Sequence, residues 1–390
     1  MRRLPLDYAV RNLGRSKSRL GLIVFGSALL VLILLAAAAF VRGMDQSLRA
    51  TGSEHNIILL GTGSEESVER SEVGVSVAGV AAASIHGIRE VAGMSYVSPE
   101  VNVMLPVQLD ASDASVSLVS LRGVTPAALL VHDEVTIVEG RFPESGRDEV
   151  LVGATAATRM GAADEDLSVG RSIVIDGRTW TVVGRFRAGG TMFEAELWTP
   201  MHDLMEATKR DSVSCVVLTI DPEMAEYEDV AVFTMMRPDL ELVAMRESSY
   251  YAGLSAFFAP IRVVVWVTAG LIAVGGLLGG LNTMYAAFVS RVREFGTLQS
   301  IGFRRRWIVL SLVQESTVAT AAGTLLACAV GVFLLDGLAV RFSMGAFGLI
   351  VDAQVLMLAL IVGFALGLLG ALPPAFRCLR LPIPTALKAI

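Results

Sequence analysis

The chain has 390 residues, 53% of them apolar, with a mean hydropathy of +0.61 and a formal net charge of −6. That is too apolar for an ordinary soluble protein of this length, so membrane spans of ~20 apolar residues each are expected. The net charge hides two bodies of opposite sign: residues 42–255 hold 33 Asp or Glu against 16 Lys or Arg, and the remainder holds 5 against 16.

In chain order, residues 1–19 place Leu6, Ala9, Val10 and Leu13 at helical spacing with Arg11, Arg15 and Lys17 off that face, which predicts an amphipathic helix on a membrane surface. Residues 20–41 form the first span. Its ~20 apolar residues exceed the 7–15 of a secretory signal core, so it reads as an uncleaved anchor. Residues 42–255 read as an acidic α+β domain. Near its start come a strand at 56–61, a helix from about 77 to 91 and a strand or two from 94 onward; near its end come a strand at 215–220, a helix in 222–236 and a strand at 240–245. These two β-α-β passes predict a subdomain built from both ends of the region, with a mostly β insert at about 120–205. Within the insert, Asp176-Gly177 joins two β-rich runs as a type I′ hairpin turn does.

Residues 256–289 read as a stalk and the second span, introduced by the interface aromatics Tyr250, Tyr251, Phe257 and Phe258. Residues 290–306 form a charged connection, 307–335 the third span, 336–352 a short external loop, 353–375 the fourth span and 376–390 a tail. Six basic residues precede the first span, five arginines lie in 290–306, and Arg377, Arg380 and Lys388 follow the fourth, whereas 336–352 has only Arg341. Basic short loops stay in the cytoplasm. Both termini and the 290–306 loop are therefore expected inside, and the acidic domain outside.

Little in the chain points to catalysis. Only Lys17, Lys209 and Lys388 are present and none follows a Gly, which excludes a phosphate-cradling Gly-Lys-Ser/Thr loop. His55, His86, His132 and His202 are scattered without metal-ligand spacing and read as surface or packing histidines. Cys215, Cys328 and Cys378 fall in three different environments, which excludes a disulfide framework. Within the spans, Glu315, Arg262 and Asp352 are the ionisable residues, too few for proton- or sodium-coupled transport; Glu315 is expected to face a partner helix or headgroups. No catalytic, cofactor-binding or metal residues are expected, and the chain does not read as an enzyme. Gly275 and Gly279, Gly276 and Gly280, and Gly363 and Gly367 lie four apart, a spacing that lets helices pack closely.

The stretch SRVREFGTLQSIGFRRRWI, residues 290–308, places Val292, Phe295, Leu298 and Ile301 on one helical stripe. Arg291, Arg293 and Glu294 project from other faces, and Gly302 offers a stop. The arginines at 304–306 need no explanation beyond membrane orientation.

From Asn282, this stretch resembles the signature of the FtsX-like permease family of ABC transporters, the group that includes MacB, LolC and LolE. Arg291, Arg293, Glu294, Gly296, Leu298 and Gly302 match its Arg-x-Arg-Glu-Ile-Gly-x-Leu-Arg-Ala-x-Gly pattern, while Phe295, Gln299 and Ser300 depart from it. Pro374, Pro384, Ala386 and Leu387 fill the places of the family's close, and GRSIVIDGRTWTVVG is similar to its external domain. The resemblance implies a four-span permease of a bacterial inner membrane with a MacB-like external domain. It implies a separate ATPase subunit, holding ATP and Mg, that docks at Arg291, Arg293, Glu294, Phe295, Gly296, Leu298 and Gly302. A second permease, as a homodimer or a related chain, and membrane lipids are further implied partners. A periplasmic adaptor and an outer-membrane channel are candidates; no nucleic acid is expected. The activity implied is transmission of ATPase motions outward to export or extract a peptide, lipoprotein or hydrophobic small molecule. The alternative is an FtsX-like scaffold that activates a cell-wall hydrolase, against which the size of the external region tilts.

Overall fold

The structure, a computed structural model, describes residues 17–110, 115–342 and 345–388; the predicted amphipathic helix lies outside them up to residue 16. Four helices among the described residues are long and apolar enough to cross a membrane: Leu20–Ala50, Ala259–Val289, Arg305–Leu335 and Ala353–Leu379. The chain falls into two compact units, one of Met1–Arg42, Pro260–Leu338 and Leu349–Ile390, the other of Gly43–Ala259 and Ala339–Gly348.

The first helix, α1 (Lys17–Ala50), runs nine residues past the expected end of the span at Val41. The inter-span domain that follows is organised around ten strands, β1 (Asn56–Gly61), β2 (Val97–Gln108), β3 (Ser117–Val124), β4 (Thr136–Gly140), β5 (Glu149–Gly153), β6 (Ser172–Ile175), β7 (Arg178–Arg187), β8 (Leu197–Pro200), β9 (Cys215–Thr219) and β10 (Leu242–Arg246). They join in the order β10-β1-β9-β2-β3-β8-β5-β7-β4, with β6 pairing β7 and β2. β1 reaches β2 through α2 (Val77–Ser84), and β9 reaches β10 through α3 (Tyr227–Met236). β9 is antiparallel to both β1 and β2, and β1 to β10. Each pass therefore connects parallel strands with a third strand between them, a split β-α-β built from the two ends of the region.

β2 is shared between the subdomains. Its residues 97–100 pair with β9, and 101–107 pair with β3. The insert, β3 to β8, is mostly β, and Asp176 and Gly177 take the φ values of +47° and +79° that a type I′ turn requires. α2 stops at Ser84, short of the expected 91, because residues 90–91 and 94–95 form a small hairpin instead.

A difference from expectation concerns the connection between the third and fourth spans. Ala339–Phe342 and Gly345–Gly348 pair as a hairpin that belongs to the inter-span domain. Phe342 meets Phe258 edge to face at 5.4 Å, and a Cβ at Gly43 would run into the Gly348 carbonyl. Sequence hydropathy could not show this, because the short loop looks the same whether solvated or docked.

After the domain come α4 (Glu247–Phe257) and α5 (Ala259–Val289), then α6 (Val292–Ser300), α7 (Arg305–Val330, continued by a π turn to Leu335), α8 (Ala353–Leu379) and a terminal α9 (Ile383–Lys388). Pro373 and Pro374 do not end α8, which runs four residues past the expected 375. In the span unit, α7 and α8 pack most closely. Cβ atoms at Gly363 and Gly367 would collide with Thr324 and Thr320, whose hydroxyls bond back to the carbonyls of Thr320 and Ser316. Gly276 faces Leu30 of α1 in the same way, while Gly275, Gly279 and Gly280 have nothing within 4 Å of a Cβ. Gly323 against Ser27 and Gly331 against Leu35 are further close approaches that four-residue spacing does not reveal.

Candidate functional site

The charged stretch after the second span folds as α6, whose Val292, Phe295 and Gly296 are buried. Val292 and Phe295 pack in a cluster with Met284 and Phe288 of α5, Ile308 and Leu312 of α7, and Ala375 and Leu379 of α8. Gly296 is needed for closeness: a Cβ there would stand 3.1 Å from that of Ala386 on α9. The predicted stripe is interrupted at its end, where Ile301 is 57% exposed. Gly302 takes φ +101°, and the amides of Gly302 and Phe303 donate to the carbonyls of Gln299 and Leu298. That is a Schellman termination, and it turns Ile301 out of the stripe.

The predicted docking residues separate into two groups. Arg291 points inward and is buried: its Nη1 lies 3.0 Å from Glu315 Oε2 of α7, its Nε 3.2 Å from Glu294 Oε2, and its guanidinium 5.4 Å over the Phe295 ring. Arg291 and Glu315 thus tie the short helix to the third span, and Phe295 and Gly296 are packed away with them. Arg293, Glu294 and Gly302 are exposed and Leu298 is half-buried. The accessible face of this corner consists of Arg293, Glu294, Thr297 and Ile301 with Leu387 of α9.

A charged corner between the second and third of four candidate spans, in a chain with a large inter-span domain, has parallels in known proteins. The MacB-like periplasmic core domain model matches residues 20–230, and the FtsX-like permease C-terminal model matches 266–383. The chain belongs to the FtsX-like ABC permease family. Among its relatives, the macrolide export ATP-binding/permease protein MacB of Hahella chejuensis is 22% identical over 250 residues, 60% of this chain and 36% of its own. The ABC transporter permease YknZ of Bacillus subtilis is 21% identical over 275 residues, 66% of this chain and 68% of its own. The chain thus spans about a third of the length of the MacB relative. Similar solved structures include the periplasmic region of MacB from Actinobacillus actinomycetemcomitans, at 12% identity and a TM-score of 0.40, covering 54% of this chain and 96% of that one. The extracellular domain of YknZ follows, at 12% identity and a TM-score of 0.35, covering 49% and 99%.

The permease carries a second polar cluster that its sequence does not announce, inside the extracytoplasmic domain. Arg122 of β3 binds Glu196 through Nε and Nη2, at 2.7 and 2.9 Å, and Glu100 of β2 through Nη1 at 2.6 Å. His132 Nε2 lies 2.8 Å from the other Glu100 oxygen, and its Nδ1 3.7 Å from Glu247 in the first turn of α4. Glu247 in turn accepts from Asn56 of β1 and from the Ser53 amide. Trp198 donates to Glu196, and Phe193 lies under the Arg122 guanidinium at 4.6 Å.

His132 is therefore not the surface or packing histidine expected, but the fully buried middle of an ion-pair chain joining both subdomains to α4. No spacing rule finds it, because its members are contributed by six separate segments. Among the described residues, no group of three or more His, Cys, Asp or Glu could hold a metal. With each carboxylate bound to a donor, the cluster can act as a clamp.

Burial opposes charge on His132, yet Glu100 and then Glu247 raise its pKa to about 9. Burial likewise opposes charge on Glu100, yet His132 and Arg122 lower its pKa to about 2. The histidine's contribution is full below its unfolded pKa near 6.5 and is lost as pH rises through about 9; that of Glu100 is full above 4.5 and is lost as pH falls through about 2. The melting temperature of the domain should therefore fall on the alkaline side between pH 7 and 9.5. His132→Gln should flatten that slope and, because His132 also lowers the Glu100 pKa, move the acid limb to higher pH; an unchanged alkaline slope in this variant would show that other groups set it.

Proposed function

We propose that the chain is the permease subunit of an ATP-driven transporter, and that the corner formed by α6 and α9 receives a separate ATPase subunit on the cytoplasmic side. ATP and Mg are then held by that ATPase, and the permease does no chemistry itself. The observation that carries this reading is the division of labour at 291–302: Arg291, Phe295 and Gly296 fasten the helix to the third span and to α9, leaving Arg293 and Glu294 available. A force applied to the exposed face passes directly to α7 through the Arg291–Glu315 pair.

Motion transmitted in this way reaches an acidic extracytoplasmic domain whose α4 precedes the second span in sequence, and it exports or extracts a peptide, lipoprotein or hydrophobic small molecule. The termini lie in the cytoplasm of a bacterial cell on the charge asymmetry already described. A second permease, the same or related, packs against the second span, where Gly275, Gly279 and Gly280 are uncovered.

Co-expression with the cognate ATPase tests the docking corner. Glu294→Arg, on the exposed face, should reduce ATPase recovery in a pull-down at least tenfold, with only a small fall in melting temperature from losing the 3.2 Å contact to Arg291. Gly296→Trp should abolish recovery by forcing α9 off α6. Undiminished association in both variants would remove the docking assignment.

A further inference from the structure

Helix α3 departs from the usual rule for a surface helix of a soluble domain, that the outward face is polar. Its inner positions, Val230, Phe233 and Thr234, are buried as expected. Its outer positions are acidic at the start, with Glu228 and Asp229, but apolar at the end: Val232 is half exposed, and Met235 and Met236 are 78% and 76% exposed. Met224, in the turn before the helix, is 73% exposed. Met224, Val232 and Met236 border a groove of about 400 Å³ between α3 and the turn after α2, lined also by Ile85, His86, Phe233, Asp229 and Arg237. The groove is held open by tightly packed walls, since a Cβ at Gly87 would strike Ala225 and the Asp221 amide donates to the Gly87 carbonyl.

Asp229 lines the groove, and the segment that carries it is strongly acidic. Asp221, Glu223, Glu226, Glu228 and Asp229 fall in residues 221–236, which contain no Lys or Arg. The next basic residue, Arg237, also lines the groove, and its guanidinium is engaged with Asp239 at 2.7 Å. Exposed apolar patches on soluble domains mark interaction sites, and methionine, unbranched and polarisable, suits surfaces that adapt to varied apolar shapes. The charge selects among occupants. Two copies meeting through this patch would set like charges against each other, and an anionic bilayer surface would be repelled.

We infer that this groove binds a linear cationic amphipathic peptide, its apolar side against Met224, Val232, Met235 and Met236 and its basic groups on the carboxylates of that acidic segment. Binding here stands whether or not the peptide is what ATP-driven motion moves, so it is tested without an ATPase.

The test uses the full chain in lipid nanodiscs and two labelled probes, a short leucine–lysine amphipathic peptide and its leucine–glutamate counterpart, followed by fluorescence anisotropy. The lysine peptide should bind and the glutamate peptide should not. Met224→Gln/Met235→Gln/Met236→Gln should weaken binding at least tenfold at an unchanged melting temperature, since all three side chains are exposed. Glu223→Gln/Glu228→Gln should weaken it and reduce its salt dependence. Equal binding of both peptides, or full affinity in the methionine triple variant, overturns the inference. So does a methionine variant that changes only self-association or attachment to anionic vesicles.

Discussion

Arg122→Met should cost the extracytoplasmic domain ~3–5 kcal/mol, the range for removing one partner of a buried ion pair. The substitution roughly preserves bulk but leaves Glu100 and Glu196, both buried, without the guanidinium that binds them at 2.6 and 2.7 Å. His132 remains as the cation beside Glu100, while among the described residues Glu196 has no second ion pair. Trp198 donates to Glu196 and is fully buried, so its emission reports the loss during denaturant unfolding. The informative comparison is the triple variant Glu100→Gln/Arg122→Met/Glu196→Gln. Neutralising all three groups removes the stranded charges, so it should recover part of the loss. If the triple variant is less stable than Arg122→Met alone, stranded charge is not the cause.

Arg291→Gln should separate anchoring from docking. Arg291 and Glu315 have side chains only 8% and 9% exposed, and breaking their contact removes the guanidinium from a buried carboxylate. We expect ~3 kcal/mol lower stability of the purified permease, at the lower end of the buried-pair range because both groups keep some solvent. Glu315→Gln in the same background should restore much of it, as a double-mutant cycle of coupled residues requires. ATPase-driven transport should fall in Arg291→Gln and recover partly in the double variant. Arg293→Glu, on the exposed face, should lose ATPase association without losing stability. Equal stability losses at 291 and 293 would show that the two arginines do not differ in role.

The two experiments concern features of unequal visibility. The stretch at 290–308 was conspicuous because its charge interrupts apolar runs and its spacing is helical. Its resemblance to a family signature singled out this stretch, yet treated Arg291, Phe295 and Gly296 as equivalent to Arg293 and Glu294. A helical wheel places Arg291 off the apolar stripe; only the third span's Glu315, 24 residues away, turns it inward. The clamp in the external domain had no such signal. Glu100, Arg122, His132, Glu196 and Glu247 look individually like members of a solvated acidic surface, and their meeting depends on how the strands are ordered.

Span glycines show the same division. Their spacing announced close packing, but whether a given glycine meets a neighbour depends on which helix lies across from it. Gly363, Gly367 and Gly276 do, whereas Gly275, Gly279 and Gly280 do not. The hairpin at 339–348 is a further case, read as a loop and found within the domain.

By itself the sequence determined the four spans, the acidic domain between the first two, its split β-α-β ends, the Asp176-Gly177 turn and the family. Those follow from local quantities: apolar run length, periodicity, turn chemistry and charge balance. Tertiary structure decided which arginine is an anchor, that His132 is the centre of a clamp, and that α3 presents methionines to solvent. Each of these depends on the desolvation and partners a side chain meets across long sequence separations, and no local pattern carries that information.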